Sequence, residues 1–183
     1  MSPRKREVLA DAQRIEELLD EMAQKIAGRR RPGELMVVGV RNKGETLGRR
    51  LADKLSALVG SDVPVGVLDI TLYRDDLNDI AHNPVIKGTD LTTSVDGRRV
   101  VLVDDVFFTG RTVRAAMDQI IDFGRPACIE LAVLVERPGR EFPIRPDYVG
   151  LREEVPQGST VDVRLVDAGD SADEVVVIKQ SSA

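Results

Sequence analysis

The sequence predicts an α/β fold in which helices flank a parallel sheet and a small antiparallel hairpin follows at the C-terminal end. Short apolar runs alternate with helical patterns up to residue 136, and this alternation is typical of a parallel sheet. Beyond that point, a Pro- and charge-rich segment leads into strands with alternating apolar and polar residues. The 183 residues are enough for one domain, with a core expected at about 8–150 and the hairpin at about 151–180.

The first part of the chain predicts a helix, a strand and a second helix. Residues 8–27 form the first helix, because apolar side chains recur there at helical spacing: Val8, Ile15, Leu18, Leu19, Met22 and Ile26. Residues 35–40 are continuously apolar, as expected for a strand buried on both faces. Residues 45–59 place four leucines on one side of the second helix: Leu47, Leu51, Leu55 and Leu58.

The middle of the chain adds three strands and one helix. Residues 63–72 are β-rich, and the polar stretch that follows is of a length usual for functional lids or disordered segments. Continuous apolar runs predict buried strands at 100–103 and 127–135. Between them, residues 112–122 fit a helix with four inward side chains: Val113, Ala116, Met117 and Ile120.

The last part of the chain predicts the antiparallel hairpin. Apolar and polar residues alternate over 160–166, a turn rich in Asp and Gly occupies 167–173, and residues 175–178 are apolar again.

Composition excludes several classes of function. The single cysteine, Cys128, is expected in a buried strand, and it leaves no disulfide within the chain. The single histidine, His82, excludes Cys/His zinc sites and a Ser-His-Asp triad. With 3% aromatic residues and a net charge of −5, binding of nucleic acid needs a local basic patch. The sequence has no signal peptide and no 18-residue apolar run, so we expect a cytoplasmic protein without membrane contact.

The most informative segment follows the strand at 100–103. Two adjacent carboxylates, Asp104 and Asp105, end this strand, and Thr109-Gly-Arg-Thr112 opens the next helix. Hydroxyls and backbone amides at a helix N-terminus bind phosphate, while carboxylates accept hydrogen bonds from a sugar diol. The spacing therefore predicts a site for a ribose 5-phosphate, although each part taken alone is also typical of a turn or a helix cap.

A second loop at the same sheet edge, residues 39–44, nearly matches a phosphate-binding P-loop. Glu45 occupies the position of the essential lysine, which excludes a Walker loop. The cations lie inside the loop, at Arg41 and Lys43. A positively charged turn before a helix suits a phosphate, and an ordinary left-handed turn is the alternative.

The pattern around Asp104–Thr112 resembles the phosphoribosyl pyrophosphate (PRPP) motif of type I phosphoribosyltransferases. Three stretches resemble more narrowly the PyrR family of bifunctional pyrimidine-operon attenuation regulators and uracil phosphoribosyltransferases: 69–77 (DITLYRDDL), 101–115 (VLVDDVFFTGRTVRA) and 140–150 (REFPIRPDYVG). The resemblance implies a type I phosphoribosyltransferase fold whose C-terminal hairpin is the hood over the base.

The resemblance also implies a role for each part of the site. Asp104 and Asp105 match the ribose-diol carboxylates. Arg137 matches a possible nucleotide contact. Three loops match by position: the 5-phosphate loop Phe108, Thr109, Gly110, Arg111 and Thr112; the pyrophosphate loop Arg41, Asn42, Lys43 and Gly44; and the start of the mobile loop, Tyr73 and Arg74.

The implied reaction transfers the phosphoribosyl group of PRPP to uracil, giving UMP and pyrophosphate. Mg²⁺ is expected to bind with PRPP, without a dedicated protein cage. Purine-specific relatives of the fold typically place an Asp immediately before Thr-Gly. Here that residue is Phe108, which cannot hydrogen-bond and so favours a pyrimidine.

The family's second activity is binding of a leader transcript of pyrimidine (pyr) genes, promoted by UMP or UTP. Arg140 and Arg145 match its RNA face, whereas four positions that are usually basic or polar depart from it: Asp20, Gln24, Gly139 and Leu151. Arginines at 29–31 or 98–99 are candidate replacements. The alternatives are an attenuator with weak or vestigial enzyme activity and a nucleotide-binding protein without turnover. The resemblance further implies a homodimer or homotetramer.

Overall fold

The computed structural model describes residues 5–70, 88–156 and 158–179. Eleven helices and strands are defined in chain order within these ranges: β1 (Lys5–Asp11), α1 (Ala12–Gly28), β2 (Leu35–Val40), α2 (Lys43–Val59), β3 (Val65–Leu68), β4 (Arg99–Phe107), α3 (Arg111–Phe123), β5 (Cys128–Glu136), β6 (Tyr148–Arg152), β7 (Thr160–Arg164) and β8 (Glu174–Lys179). A short 3-10 turn, Val166–Ala168, lies between β7 and β8.

The strands of the described residues form two sheets. Strands β3-β2-β4-β5-β6 make a parallel sheet, and β1-β8-β7 make an antiparallel one. Helices α1 and α2 cover one face of the parallel sheet, where Leu51 and Leu55 pack with Val37 and Val101. Helix α3 covers the other face. The predicted α/β fold with a parallel sheet is confirmed, and the carboxyl ends of its strands converge at one edge.

The N-terminal segment differs from the prediction. Residues 8–11 belong to strand β1, which pairs with β8, and Val8 is 52% exposed. Helix α1 begins only after Asp11, whose carboxylate accepts a hydrogen bond from the amide of Arg14 at 2.9 Å. The antiparallel sheet therefore has three strands instead of the predicted two. We refer to β1, β7, β8 and the turn at 165–173 as the hood.

Several boundaries also shift. Strand β4 continues through Asp104 to Phe107, which lies opposite Glu136 of β5, so this strand is longer than the predicted 100–103. Strand β6 was not predicted, because five residues of mixed composition give no periodic signal. Leu58 was expected to face inward but is 51% exposed in the last turn of α2. Cys128 begins β5 and is half-buried rather than buried.

A buried ion pair lies at the opposite edge of the parallel sheet, where strands β4 and β5 begin. Arg99, the first residue of β4, donates to Glu130 of β5 at 2.7 Å and to the carbonyl of Ile26 at the end of α1 at 3.0 Å. Tyr148 donates to Glu130 at 3.2 Å, and burial raises the pKa of the Tyr148 hydroxyl. Because Arg99 is only 6% exposed, this residue cannot supply an RNA contact. Arg29 and Arg31 also lie within 3.5 Å of Glu130 and belong to this structural network.

The helices of the described part of the chain include none long and apolar enough to cross a lipid bilayer.

Candidate active site

Five segments meet at the carboxyl edge of the parallel sheet. They are the β2–α2 loop, the ends of β3 and β4, the first turn of α3 and the hood. Together they enclose a cleft of about 1030 Å³. Residues from both loops singled out by sequence line this cleft, among them Lys43, Asp105 and Thr112. Four other residues expected in the 5-phosphate loop are not part of the cleft lining: Phe108, Thr109, Gly110 and Arg111.

The paired carboxylates lie at the centre of this edge. Asp104 is buried and accepts a hydrogen bond from the amide of Asp105 at 3.0 Å. Asp105 in turn accepts from the amide of Val106 at 2.8 Å. Burial raises the pKa of the Asp105 carboxyl, although these hydrogen bonds and the positive charge of Lys43 act in the opposite direction. The geometry thus provides two fixed oxygen acceptors at the floor of the cleft.

The β2–α2 loop packs tightly against the end of β4. A Cβ at Gly44 would lie 2.7 Å from the carbonyl oxygen of Val103 and 3.3 Å from a carboxylate oxygen of Asp104. Asn42 has a φ of 76°, a left-handed conformation that is unusual outside glycine. This close approach explains a glycine at position 44 and keeps the loop amides beside the paired carboxylates.

The two cations of this loop already have protein partners. Arg41 donates to the carbonyl of Gly88, and its Nε lies 3.7 Å from Oδ2 of Asp69 at the end of β3. Lys43 forms an ion pair with Asp170 in the turn of the hood. Sequence reasoning missed Asp69, Gly88 and Asp170, since no local pattern connects positions between 28 and 127 residues apart.

The first turn of α3 has the form of an anion-binding loop. Gly110 precedes the helix with a φ of +90°, and Thr109 accepts from the amide of Arg111 at 3.3 Å. The Arg111 side chain is directed away from the cleft, because it pairs with Glu141 at 2.6 Å. Thr112 lines the cleft, so it is the side chain of this loop that faces a ligand there.

Phe108 and Arg137 form a stacked pair outside the lining of this cleft. The Arg137 guanidinium lies 4.2 Å from the centre of the Phe108 ring, and it donates to the carbonyl of Ser159 at 3.0 Å. Gly139 permits this arrangement, because a Cβ there would lie 2.1 Å from the Phe108 ring. Arg137 therefore connects the end of β5 with the chain that enters the hood.

Among the described residues, more acidic than basic side chains line the cleft. Seven carboxylates line it: Glu45, Asp53, Asp69, Asp104, Asp105, Asp162 and Asp167. Four cations line it: Arg41, Lys43, Arg49 and Arg50. A cation bound together with a ligand that carries several phosphates would offset this surplus of negative charge.

Comparison with known proteins agrees with this architecture. A family model described as phosphoribosyl transferase domain matches residues 6–170. The bifunctional protein PyrR of Pelotomaculum thermopropionicum is 47% identical over 177 residues, which cover 96% of this chain and 97% of that protein. The bifunctional protein PyrR of Deinococcus radiodurans is 51% identical over 152 residues, which cover 82% and 83% of the two chains.

The chain belongs to the PyrR family of phosphoribosyl transferase domains. The family resemblance of the sequence is thereby confirmed. Among solved structures, the hypoxanthine phosphoribosyltransferase of Trypanosoma cruzi has a TM-score of 0.69 at 20% identity and covers 96% of this chain and 97% of its own. At that identity, the likeness confirms the type I phosphoribosyltransferase fold alone.

The positions that depart from the PyrR pattern lie on two surfaces. Asp20 and Gln24 are on the exposed side of α1, and Asp20 pairs with Lys54 at 2.7 Å. Gly139 and Leu151 flank a second cleft of about 540 Å³. Its lining combines four arginines (Arg137, Arg140, Arg145 and Arg152) with three glutamates (Glu136, Glu153 and Glu154). Tyr73 and Arg74 of the expected mobile loop lie outside the described residues.

Proposed function

We propose that this protein transfers the phosphoribosyl group of PRPP to uracil, producing UMP and pyrophosphate. The observation that carries the proposal is the meeting of the paired carboxylates, the β2–α2 loop and the N-terminus of α3 in one cleft. This arrangement offers acceptors for a sugar diol and donors for phosphate at different points of the same cleft. Membership of the PyrR family supports the same activity.

The paired carboxylates bind the ribose ring in this mechanism. Asp104 and Asp105 accept hydrogen bonds from the two ring hydroxyls and hold the sugar in one orientation. Their negative charge stabilises the positive charge that develops on the ring as pyrophosphate leaves. The reaction therefore needs no side-chain nucleophile, because uracil itself attacks the sugar.

The phosphate groups bind at the two ends of the sugar. The 5-phosphate lies against the backbone amides at 109–112 and the Thr112 hydroxyl, where the helix dipole favours negative charge. The pyrophosphate lies against the amides of the β2–α2 loop, near Lys43. Enclosure between this loop and the hood excludes water that would hydrolyse PRPP.

The surplus of carboxylates in the cleft fits a magnesium complex of PRPP. Within the described residues, no group of three or more His, Cys, Asp or Glu side chains is arranged to hold a metal ion. Magnesium commonly keeps several waters and binds through substrate phosphates, so the sugar and pyrophosphate oxygens would supply its other ligands. When bound, Mg²⁺ neutralises charge on the pyrophosphate leaving group.

The experiment is a product assay with PRPP, uracil and Mg²⁺, in which UMP is separated and quantified. Formation of UMP that requires all three components supports the proposal. The absence of UMP, together with the absence of product from other pyrimidines, would contradict it. A rise in melting temperature with PRPP but no turnover would instead support a nucleotide-binding protein without catalysis.

A second candidate function is UMP- or UTP-dependent binding of a pyr leader transcript. The second cleft favours it, because Arg140 and Arg145 are both exposed there. The Arg140 guanidinium donates one long hydrogen bond, of 3.4 Å, to the carbonyl of Ile144. The neighbouring Glu153 and Glu154 weaken a phosphate contact at this surface. The proposal places both activities in a cytoplasmic homodimer or homotetramer.

RNA binding is tested by titrating a pyr leader RNA at several salt concentrations, with and without UMP. Specific binding that UMP strengthens and that Arg140→Ala and Arg145→Ala weaken supports the regulator. Binding that is equal for a scrambled RNA would contradict it.

A further inference from the structure

The contact between the hood and the β2–α2 loop involves a residue expected to bind pyrophosphate. Lys43 and Asp170 form an ion pair at the rim of the cleft, with 22% and 30% of their side chains exposed. The same carboxylate oxygen of Asp170 accepts a hydrogen bond from the amide of Leu165 at 2.8 Å. Asp170 is therefore held in place by its own turn and presents a fixed negative charge to Lys43.

The hood does not depend on this ion pair for its attachment to the core. Arg50 of α2 pairs with Asp167 at 2.7 Å and also with Asp173, two other carboxylates of the same turn. The Arg50 side chain is only 17% exposed. Burial alone would raise the pKa of the Asp173 carboxyl, but the ion pair with Arg50 acts in the opposite direction, and the pKa is lowered. Two carboxylates thus fasten the turn to α2, while Asp170 reaches the ligand-binding loop.

We propose that Asp170 is a positioning residue that competes with the pyrophosphate group of PRPP for the ammonium group of Lys43. An ammonium group is a compact point charge, so a carboxylate and a phosphate oxygen that approach it from the same side of the cleft compete. Binding of PRPP must displace Asp170 from Lys43. The inference rests on the proposed function, since it assigns the pyrophosphate to the cleft beside Lys43.

This competition affects both the binding of PRPP and the release of pyrophosphate. It weakens the binding of PRPP. After the transfer it favours the release of pyrophosphate, because Asp170 forms its ion pair with Lys43 again. Lys43 also acts electrostatically on Asp105, as its charge favours the ionised form of that carboxyl. Exchange of Lys43 between Asp170 and pyrophosphate therefore changes the field at the ribose-binding carboxylates.

The test measures the binding of magnesium PRPP and magnesium pyrophosphate to the full chain by calorimetry. Asp170→Asn removes the charge, while its amide oxygen still accepts the bond from Leu165. We expect about two- to fivefold tighter binding of both ligands, the range that loss of a partly exposed ion pair allows. In steady-state assays, the KM for PRPP should fall, and inhibition by pyrophosphate should strengthen, with the KM for uracil unchanged.

Two further variants separate competition from a general charge effect. Asp162→Asn makes the same charge change at the cleft wall, where Asp162 pairs with Arg164 at 2.9 Å. Lys43→Gln removes the group under competition, so adding Asp170→Asn to it should change pyrophosphate affinity by less than about 1.5-fold. Equal tightening by Asp162→Asn, or no tightening by Asp170→Asn, would overturn the inference while leaving the proposed function intact. If the wild type binds neither ligand, both are wrong.

Discussion

A methyl group added at Gly44 is expected to lower the rate of catalysis about a hundredfold while the protein still folds. A Cβ at this position would lie 2.7 Å from the carbonyl oxygen of Val103, about 0.7 Å short of the 3.4 Å at which ordinary contact begins. The obstacle is backbone of the central strand β4, which cannot rotate away. The β2–α2 loop must therefore shift outward by a comparable distance, away from Asp104.

Such a shift lowers both the free energy of unfolding and the rate of catalysis. Overpacking of this kind costs about 1–3 kcal/mol, and replacing glycine by alanine within a helix returns up to about 1 kcal/mol. The free energy of unfolding of Gly44→Ala should thus fall by about 3 kcal/mol or less. A displacement near 1 Å in groups that position a substrate can lower the rate about a hundredfold.

The assay combines thermal unfolding with UMP formation, and Gly48→Ala is the matched control. Gly48 lies one turn further along α2, where a Cβ would lie 3.3 Å from a side-chain methyl group of Val37 and 3.4 Å from the Cα of Gly39, close to ordinary contact distance. Gly48→Ala should retain activity within about threefold, with unchanged or higher stability. Full activity of Gly44→Ala, or equal loss in both variants, would refute the reasoning.

Three further predictions concern other parts of the molecule. Asp105→Asn should weaken PRPP binding about ten- to a hundredfold, measured by calorimetry, because a charged hydrogen-bond acceptor is lost. Burial raises the pKa of the Asp105 carboxyl, so its ionised form disfavours folding. Asp105→Asn should therefore have a higher melting temperature than the wild type at pH 7. The difference between the two melting temperatures should shrink as the pH falls toward the ordinary pKa of an aspartate, because the wild-type carboxyl then becomes protonated. Thr112→Ala should weaken PRPP binding, because its hydroxyl lies in the cleft, and should leave the circular dichroism spectrum unchanged, whereas unchanged affinity would show that this loop is misassigned. Arg99→Met should lower the free energy of unfolding by about 3 kcal/mol in denaturant titrations, because the buried Glu130 loses its nearest cation and keeps only the longer contacts with Arg29 and Arg31, while Tyr148→Phe should cost only about 1 kcal/mol. A smaller loss in Arg99→Met than in Tyr148→Phe would contradict this account of the buried pair.

The central elements of the fold could be predicted because their signals are local. Residues 35–40 are apolar throughout, and the structure forms β2 over Leu35–Val40. The segment after residue 100 combines a strand, two carboxylates and a helix start, each with a known preference for that order. These features depend only on neighbours along the chain.

The wrong predictions arose where partners come from distant sequence. Val8 has the same spacing to Ile15 as a helical residue would have, but pairing with Val176 of β8 holds it in a strand. Arg99 was a candidate RNA contact because of its positive charge, but in the structure it is enclosed by Glu130, Tyr148 and the end of α1. Neither outcome is encoded in the local pattern, because each depends on a contact between segments more than 30 residues apart.

By itself, the sequence determined the α/β class, the family resemblance, and the carboxylate and phosphate-loop residues of the candidate site, since hydrophobic periodicity and short motifs report local chemistry. The tertiary structure alone decided which of those groups face the cleft. It directs Thr112 into the cleft and Arg111 toward Glu141, stacks Phe108 on Arg137, and brings Asp170 to Lys43 across 127 residues. The physical reason is that side-chain direction and ion pairing follow from how the hood and the parallel sheet pack against each other, and that packing is set by the whole chain.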